Sequence, residues 1–114
     1  MYEVIFYEKD NGEAPAEEFL DGLPLKLREK TLRSLRLLQE MGSRLRGEET
    51  AYVRDGLFEL RTKFGSDITR VFFFFWSGET IVLVSGYVKK SQKAPAREIE
   101  RALRYKRDWE VRNR

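Results

Sequence analysis

Cationic side chains recur at alternate positions in the second half of the chain. Arg61 and Lys63 form one such pair, Arg70 follows, and Lys89 pairs in the same spacing with the neutral Tyr87. Alternate residues of a β-strand point to the same face of a sheet, so each pair would share a face. Arginine and lysine bind phosphate oxygens through charge-assisted hydrogen bonds, and lysine and tyrosine also transfer protons. The pattern indicates a polyanion site with proton-transfer groups beside it.

Three strands are predicted to position these side chains. A period of two residues begins at Gly56, and Gly-Ser and Ser-Gly-Glu turn signals divide it into three segments, Leu57–Phe64, Ile68–Trp76 and Thr80–Lys89. These segments predict an antiparallel meander. Residues 72–76 are all aromatic, which is typical of a central strand that is covered on both faces.

The lengths of the turns set which residues face each other across the strands. If the first turn has two residues, Arg61 lies directly opposite Arg70. A second turn at Gly78-Glu79 places Tyr87 opposite Arg70, whereas a turn one residue earlier places Ser85 there. Both choices leave the cationic residues on one face of the sheet.

Two facing arginines destabilise a sheet unless an acid compensates, and Glu59 is the nearby acid on the same face. An exposed ionic ladder is the alternative explanation of these charges. A structural role alone accounts poorly for two facing arginines, so we favour the polyanion site.

Alternation also divides the apolar residues of the meander between two faces. The core face is predicted to hold Val71 and Phe73 together with Val82 and Val84. The cationic face is predicted to end in six apolar residues, Leu57, Phe72, Phe74, Trp76, Ile81 and Leu83. This apolar end either packs under a loop or a chain terminus or remains open as a partner-binding patch.

Helical periodicity and the positions of proline and glycine predict the remaining elements. Tyr2–Glu8 is predicted as a strand, Pro15–Leu20 as a short helix and Pro95–Val111 as the last helix. Pro24–Gly42 is predicted as an amphipathic helix, and residues 43–55 as an irregular connection. The buried arc of that helix is predicted to hold Leu27, Thr31, Leu32, Leu35, Leu38 and Met41. The order β-α-α-β-β-β-α, with helices flanking one face of a mainly antiparallel sheet, predicts an α+β fold and a single domain over residues 1–114.

Composition narrows the chemistry. The chain has 114 residues, 41% of them hydrophobic and 36% charged, and it contains neither cysteine nor histidine. Disulfides, cysteine zinc sites and histidine-based nucleophilic catalysis are therefore excluded. The sequence also lacks a Walker loop, a transmembrane run and a signal-peptide pattern, so we expect a cytoplasmic protein.

The net charge of +3 is unevenly distributed. Residues 1–25 carry −6 and residues 47–88 carry −2, whereas residues 26–46 carry +5 and residues 89–114 carry +6. Segregated basic charge is typical of a protein that binds a polyanion, although basic helices also serve solubility.

Several segments resemble the phage-derived, HigB-like branch of the RelE/ParE toxin superfamily. The most specific is Gly86-Tyr87-Val88-Lys89-Lys90-Ser91-Gln92-Lys93-Ala94-Pro95. The segments 55–61 and 65–72 fit as well, as do Pro15, Phe19-Leu20-Asp21 and Leu23-Pro24 before the leucine-rich helix. The resemblance covers nearly the whole chain. It implies a RelE-like topology, with two N-terminal helices packed on one face of the sheet and a C-terminal helix.

The resemblance also implies an activity and partners. Such proteins are the toxins of type II toxin–antitoxin systems and cut mRNA on the ribosome by attack of the 2′-OH. A helix-turn-helix, HigA-like antitoxin neutralises them, and DNA is reached only through that antitoxin. RNA supplies its own nucleophile, so no metal or cofactor is expected.

The resemblance also implies a role for each of the candidate site residues. Arg70 matches the conserved phosphate-binding arginine, and Arg61 matches a position that is usually basic. Tyr87 and Lys89 lie in the proton-transfer region, and either is expected to be the general base. Ser85 stands where many relatives have histidine, and Glu59 where some have lysine. Flanking phosphates are expected to contact Lys63, Lys90, Lys93 and Arg97.

Two other functions remain open at this point. One is a ParE-like inhibitor of DNA gyrase, which binds protein and cleaves nothing. The other is a nucleic-acid-binding module without catalytic activity.

Overall fold

A five-stranded sheet organises the residues that the computed structural model describes, which are 1–45, 47–89 and 95–114. In chain order the elements are β1 (Glu3–Phe6), α1 (Pro15–Asp21), α2 (Leu25–Met41), a single 3-10 turn (Gly42–Arg44), β2 (Thr50–Arg54), β3 (Leu57–Phe64), β4 (Asp67–Trp76), β5 (Thr80–Lys89) and α3 (Ala96–Arg112). The strand order is β1-β5-β4-β3-β2, with β1 parallel to β5 and the other pairs antiparallel. The α+β class and the predicted meander are confirmed.

Strand β2 lies within residues 43–55, which were predicted to form an irregular connection, so that prediction is wrong for Thr50–Arg54. Asp55 and Gly56 form the two-residue turn into β3, with φ values of 52° and 80°. A type I′ hairpin turn needs two such positive φ angles, and Asp-Gly is a preferred pair for it. Because β2 has only five residues, it pairs with no more of β3 than Leu57–Leu60.

A bulge in β5 changes the predicted division of faces. Phe73 pairs with Leu83, whereas Phe72 pairs with Ser85, so Val84 is the extra residue. Strict alternation therefore fails before Ser85, and Val82 and Val84 pack with Phe72 and Phe74. Ile81 and Leu83 instead pack with Val71 and Phe73, so these four residues of β5 lie on the opposite faces from those predicted.

Helices cover both faces of the sheet rather than one. Residues of α1 and α2, including Leu20, Leu27 and Leu38, pack on the face that holds Phe73. Ala102 and Leu103 of α3 pack on the other face, over its apolar end. The predicted apolar end of the cationic face is thus covered by the C-terminal helix and is not an open patch.

Close packing fixes α1 and α2 against the sheet. Gly86 allows the Phe19 ring to approach β5, because a Cβ atom at residue 86 would lie 2.4 Å from that ring. Thr31 of α2 is fully buried and shares a hydrogen bond of 2.9 Å with Thr69 of β4. Leu32 is 45% exposed, so its predicted place on the buried arc is wrong. None of the helices in the described residues has the length and hydropathy needed to span a bilayer.

Candidate functional site

The cationic side chains meet on three neighbouring strands, on the sheet face that α3 partly covers. Arg61 of β3 pairs with Arg70 of β4, and Arg70 pairs with Tyr87 of β5. Lys89 lies two residues further along β5, opposite Ile68. The predicted facing of the two arginines and of Arg70 with Tyr87 is confirmed. The second pairing arises from a three-residue turn followed by the bulge, rather than from a two-residue turn.

Glu59 binds both arginines. Its Oε1 accepts a hydrogen bond of 3.2 Å from Nε of Arg61 and a second one from Nη1 of Arg70. Glu59 is 5% exposed and Arg70 is 8% exposed, so the ion pair between them is buried. The prediction that Glu59 compensates the two arginines is confirmed. The exposed ionic ladder does not occur, because Glu59, Arg70 and Lys89 are all buried.

Three hydrogen-bond donors of this cluster lack a partner among the described residues. They are Nε of Arg70, Oη of Tyr87 and Oγ of Ser85, and all three atoms are buried. Buried hydrogen-bond donors normally have an acceptor, so each donor without one needs an explanation. Arg70 lies opposite Tyr87, and Ser85 precedes Tyr87 by two residues on β5, so the three side chains share one face of the sheet. Oε2 of Glu59 is buried there as well and also lacks a hydrogen-bond partner among the described residues.

Two pKa shifts distinguish the proton-transfer candidates. Burial, followed by the charge of Glu59, raises the pKa of Tyr87 to about 12, so its hydroxyl is protonated at neutral pH. Burial, together with the charges of Arg70 and Arg61, lowers the pKa of Lys89. Lys89 is 4% exposed, in keeping with the leading contribution of burial. The cluster therefore combines a protonated hydroxyl with an amine that loses its proton more readily than usual.

The predicted flanking cations are only partly gathered around this cluster. Lys63 is exposed on β3, two residues beyond Arg61. Arg97 is exposed in the first turn of α3 and makes no ion pair within the part of the chain that the structure describes. Lys90 and Lys93 lie outside the described residues. The four predicted catalytic residues are thus brought together, and their catalytic roles remain predictions.

The sequence analysis missed the contribution of α2 and of residues 48–49. Lys30 of α2 and Glu49 line a hollow that also holds Arg61 and Arg70. The helical pattern of α2 identifies its outward cations but carries no information on which strand they approach. Within residues 1–45, 47–89 and 95–114, no group of three or more acidic side chains is placed to hold a metal ion.

The fold and the cluster together define a small α+β protein with a cationic site suited to phosphate. Residues 18–107 match the family described as phage derived protein Gp49-like (DUF891), and the chain therefore belongs to this family. The matched range contains every residue of the cluster. The family is phage-derived and toxin-like and belongs to the RelE/ParE-like toxin superfamily. No curated protein matches the chain.

Proposed function

We propose that the chain is the toxin of a type II, HigB-like toxin–antitoxin system and a metal-independent endoribonuclease that cleaves translated mRNA. One observation carries the proposal: neighbouring strands bring four residues together beside the buried carboxylate of Glu59. These residues are Arg61, Arg70, Tyr87 and Lys89. The family match supports the toxin class, and the chemistry of the cluster supports the reaction. The site of action is the cytoplasm, where translation takes place.

The proposed reaction uses the 2′-OH of the RNA as its nucleophile. The neutral amine of Lys89 takes the 2′-OH proton while the 2′ oxygen forms a bond to phosphorus. The bond from phosphorus to the 5′ oxygen breaks, and the hydroxyl of Tyr87 gives its proton to that oxygen. The products are a 2′,3′-cyclic phosphate and a free 5′-OH, and proton exchange with solvent restores Lys89 and Tyr87.

Arg61 and Arg70 stabilise the charge that accumulates on the phosphate during this step. Their guanidinium groups present several N–H donors in a fixed plane, which suits phosphate oxygens. Glu59 fixes both groups in place before the substrate arrives, and such preorganisation is a main source of electrostatic stabilisation in enzymes. Glu59 also limits the repulsion between the two arginines.

We expect cleavage to depend on translation, because the described site has no base-reading helix that would recognise free RNA by sequence. Induced expression should arrest growth, and primer extension on a reporter mRNA should show cuts within its reading frame. Removing the start codon of that reporter should abolish the cuts. Cuts that persist without translation would contradict ribosome dependence. Intact mRNA with inhibited DNA supercoiling would favour the gyrase inhibitor, and growth that continues unchanged would favour the non-catalytic module.

We propose a helix-turn-helix, HigA-like antitoxin as the partner. With α3 over the apolar end of the cationic face, the outward face of α2 offers the more accessible apolar surface, at Leu25, Leu32 and Leu37 among basic side chains. We expect a gene next to this one to encode a short helix-turn-helix protein, whose co-expression should restore growth and which should co-purify with the chain. If that protein neither restores growth nor co-purifies, the partner assignment is wrong.

A further inference from the structure

A groove leads from the candidate site around the edge of β3 to α2. It consists of two adjoining hollows of about 510 and 430 Å³. The first reaches Arg70, the second reaches Arg36, and both are lined by Lys30, Ser34 and Glu49. These shared residues make the two hollows one continuous surface, which we call the edge groove.

The short length of β2 creates the edge groove. Pairing between β2 and β3 ends at Leu60, and the backbone N–H of Arg61 donates to the carbonyl oxygen of Glu49. Beyond that point, Thr62–Phe64 has no strand neighbour on its outer side within the described residues. The basic face of α2 and the cationic face of the sheet therefore approach each other across an uncovered strand edge.

The charge of the edge groove is positive along most of its length. The first hollow is lined by four cations and two acids, Glu48 and Glu49, and two of the cations pair with Glu59, so four positive and three negative charges give a net charge of +1. The second hollow adds Arg33 and Arg36 on α2, together with Glu40. A cationic groove of this kind attracts the backbone of a single-stranded nucleic acid.

An exposed aromatic ring lies beside Lys30, a residue that lines both hollows, although Phe64 itself lines neither. Phe64 is 44% exposed and follows Lys63, which lines the first hollow. The Nζ atom of Lys30 lies 5.7 Å from the centre of the Phe64 ring. Aromatic side chains beside cations serve as stacking surfaces for unpaired bases, because every base offers a flat face.

We propose that the edge groove binds the single-stranded RNA that adjoins the cleaved phosphate. Lys30, Lys63 and Arg33 contact its phosphates, and Phe64 stacks on one of its bases. The inference rests on the proposed ribonuclease function and adds a substrate-binding subsite to it. The exposed ring and the continuity with the phosphate-binding cluster favour RNA over an acidic protein segment as the occupant.

Binding of a fluorescein-labelled 12-nucleotide RNA of mixed sequence, measured by anisotropy at several salt concentrations, tests this subsite. Phe64→Ala should weaken binding about 5- to 160-fold with an unchanged salt slope, because base stacking contributes ~1–3 kcal/mol per base. Lys30→Gln should weaken binding and reduce the salt slope by about 0.7, the value for one phosphate contact on a single strand. Glu48→Gln should tighten binding, since it removes a negative charge from the groove.

Two matched variants serve as controls. Phe64→Tyr keeps an aromatic ring and should retain the affinity, and Arg104→Gln removes an exposed cation of α3 and should change the affinity less than about twofold. The subsite is wrong if Phe64→Ala and Lys30→Gln bind the RNA as tightly as Arg104→Gln, or if the unchanged protein does not bind it.

Cleavage of translated mRNA by the same variants separates this subsite from the proposed function. If the unchanged protein cleaves translated mRNA but the groove variants match the Arg104→Gln control, only the subsite is wrong. If the unchanged protein cleaves no translated mRNA, the proposed function itself is wrong. Groove variants that lose the antitoxin but keep their RNA affinity would identify a protein-docking surface and overturn the RNA assignment.

Discussion

Replacing Lys89 by arginine is expected to slow mRNA cleavage by roughly 10²–10⁴-fold, the usual contribution of general acid–base catalysis. Arginine keeps the positive charge but does not lose its proton, so it cannot take the proton of the 2′-OH. The lowered pKa of Lys89 makes its amine lose its proton more readily than an ordinary lysine does. Rates measured in a reconstituted translation system against pH are the appropriate measurement.

The dependence of the cleavage rate on pH distinguishes the base, Lys89, from the proton donor, Tyr87. The rate of the unchanged protein should rise with pH as Lys89 loses its proton, and deprotonation of Tyr87 should not lower it until the pH approaches about 12. Lys89→Arg should lose the rising limb. Tyr87→Phe should slow cleavage but keep the limb, because it removes the proton donor and leaves the base. An unchanged rate in both Lys89→Arg and Lys89→Met, with normal melting curves, would show that Lys89 is not the base.

Replacing Arg70 by alanine is expected to lower the free energy of unfolding by about 3 kcal/mol, the lower limit for removing one partner of a buried ion pair. The sequence alone suggests a surface cation whose loss changes stability little. The structure corrects that expectation, because Arg70 is buried and paired with the buried carboxylate of Glu59. Its removal leaves that carboxylate with Arg61 as its remaining partner among the described residues. Urea unfolding monitored by tryptophan fluorescence measures the loss.

Three further variants make the stability result interpretable. Adding Glu59→Gln to Arg70→Ala should restore part of the lost stability, because it removes a buried charge that Arg61 alone would then compensate. Arg70→Lys keeps a charge near Glu59 but changes the planar group, so it should remain folded and cleave poorly. Phe73→Ala provides the comparison for a pure packing loss of roughly 3–5 kcal/mol, since Phe73 is 1% exposed and stacks on Phe58. An Arg70→Ala variant that is as stable as the unchanged protein would show that the ion pair contributes nothing to folding.

Local patterns predicted most of the elements and the central pairing of the site. Turn residues and a period of two residues gave the full extent of β3 and β5, and the length of the first turn gave the facing of Arg61 and Arg70. These features depend on neighbours within a few residues along the chain. The presence of Glu59 near both arginines followed from the same alternation.

Features that depend on the whole fold were not predictable in this way. The bulge at Val84 interrupts a run of residues that are all compatible with a strand, so no residue type marks it. The burial of Arg70 and Lys89 depends on how the faces of the sheet are covered, and strand alternation says nothing about that covering. The edge groove depends on where β2 ends and on how α2 crosses the sheet, and neither follows from periodicity.

The parallel pairing of β1 with β5 has a consequence for the order of folding. Residues 3–6 are synthesised early, but their partners are residues 80–83, so this strand has no place in a sheet until β5 has left the ribosome. Contacts so distant in sequence form late, because a long loop has to close before they contribute. Tyr87 and Lys89 lie on the same late strand. A nascent chain therefore assembles its cationic cluster among its last folding events, after most of the chain has been synthesised.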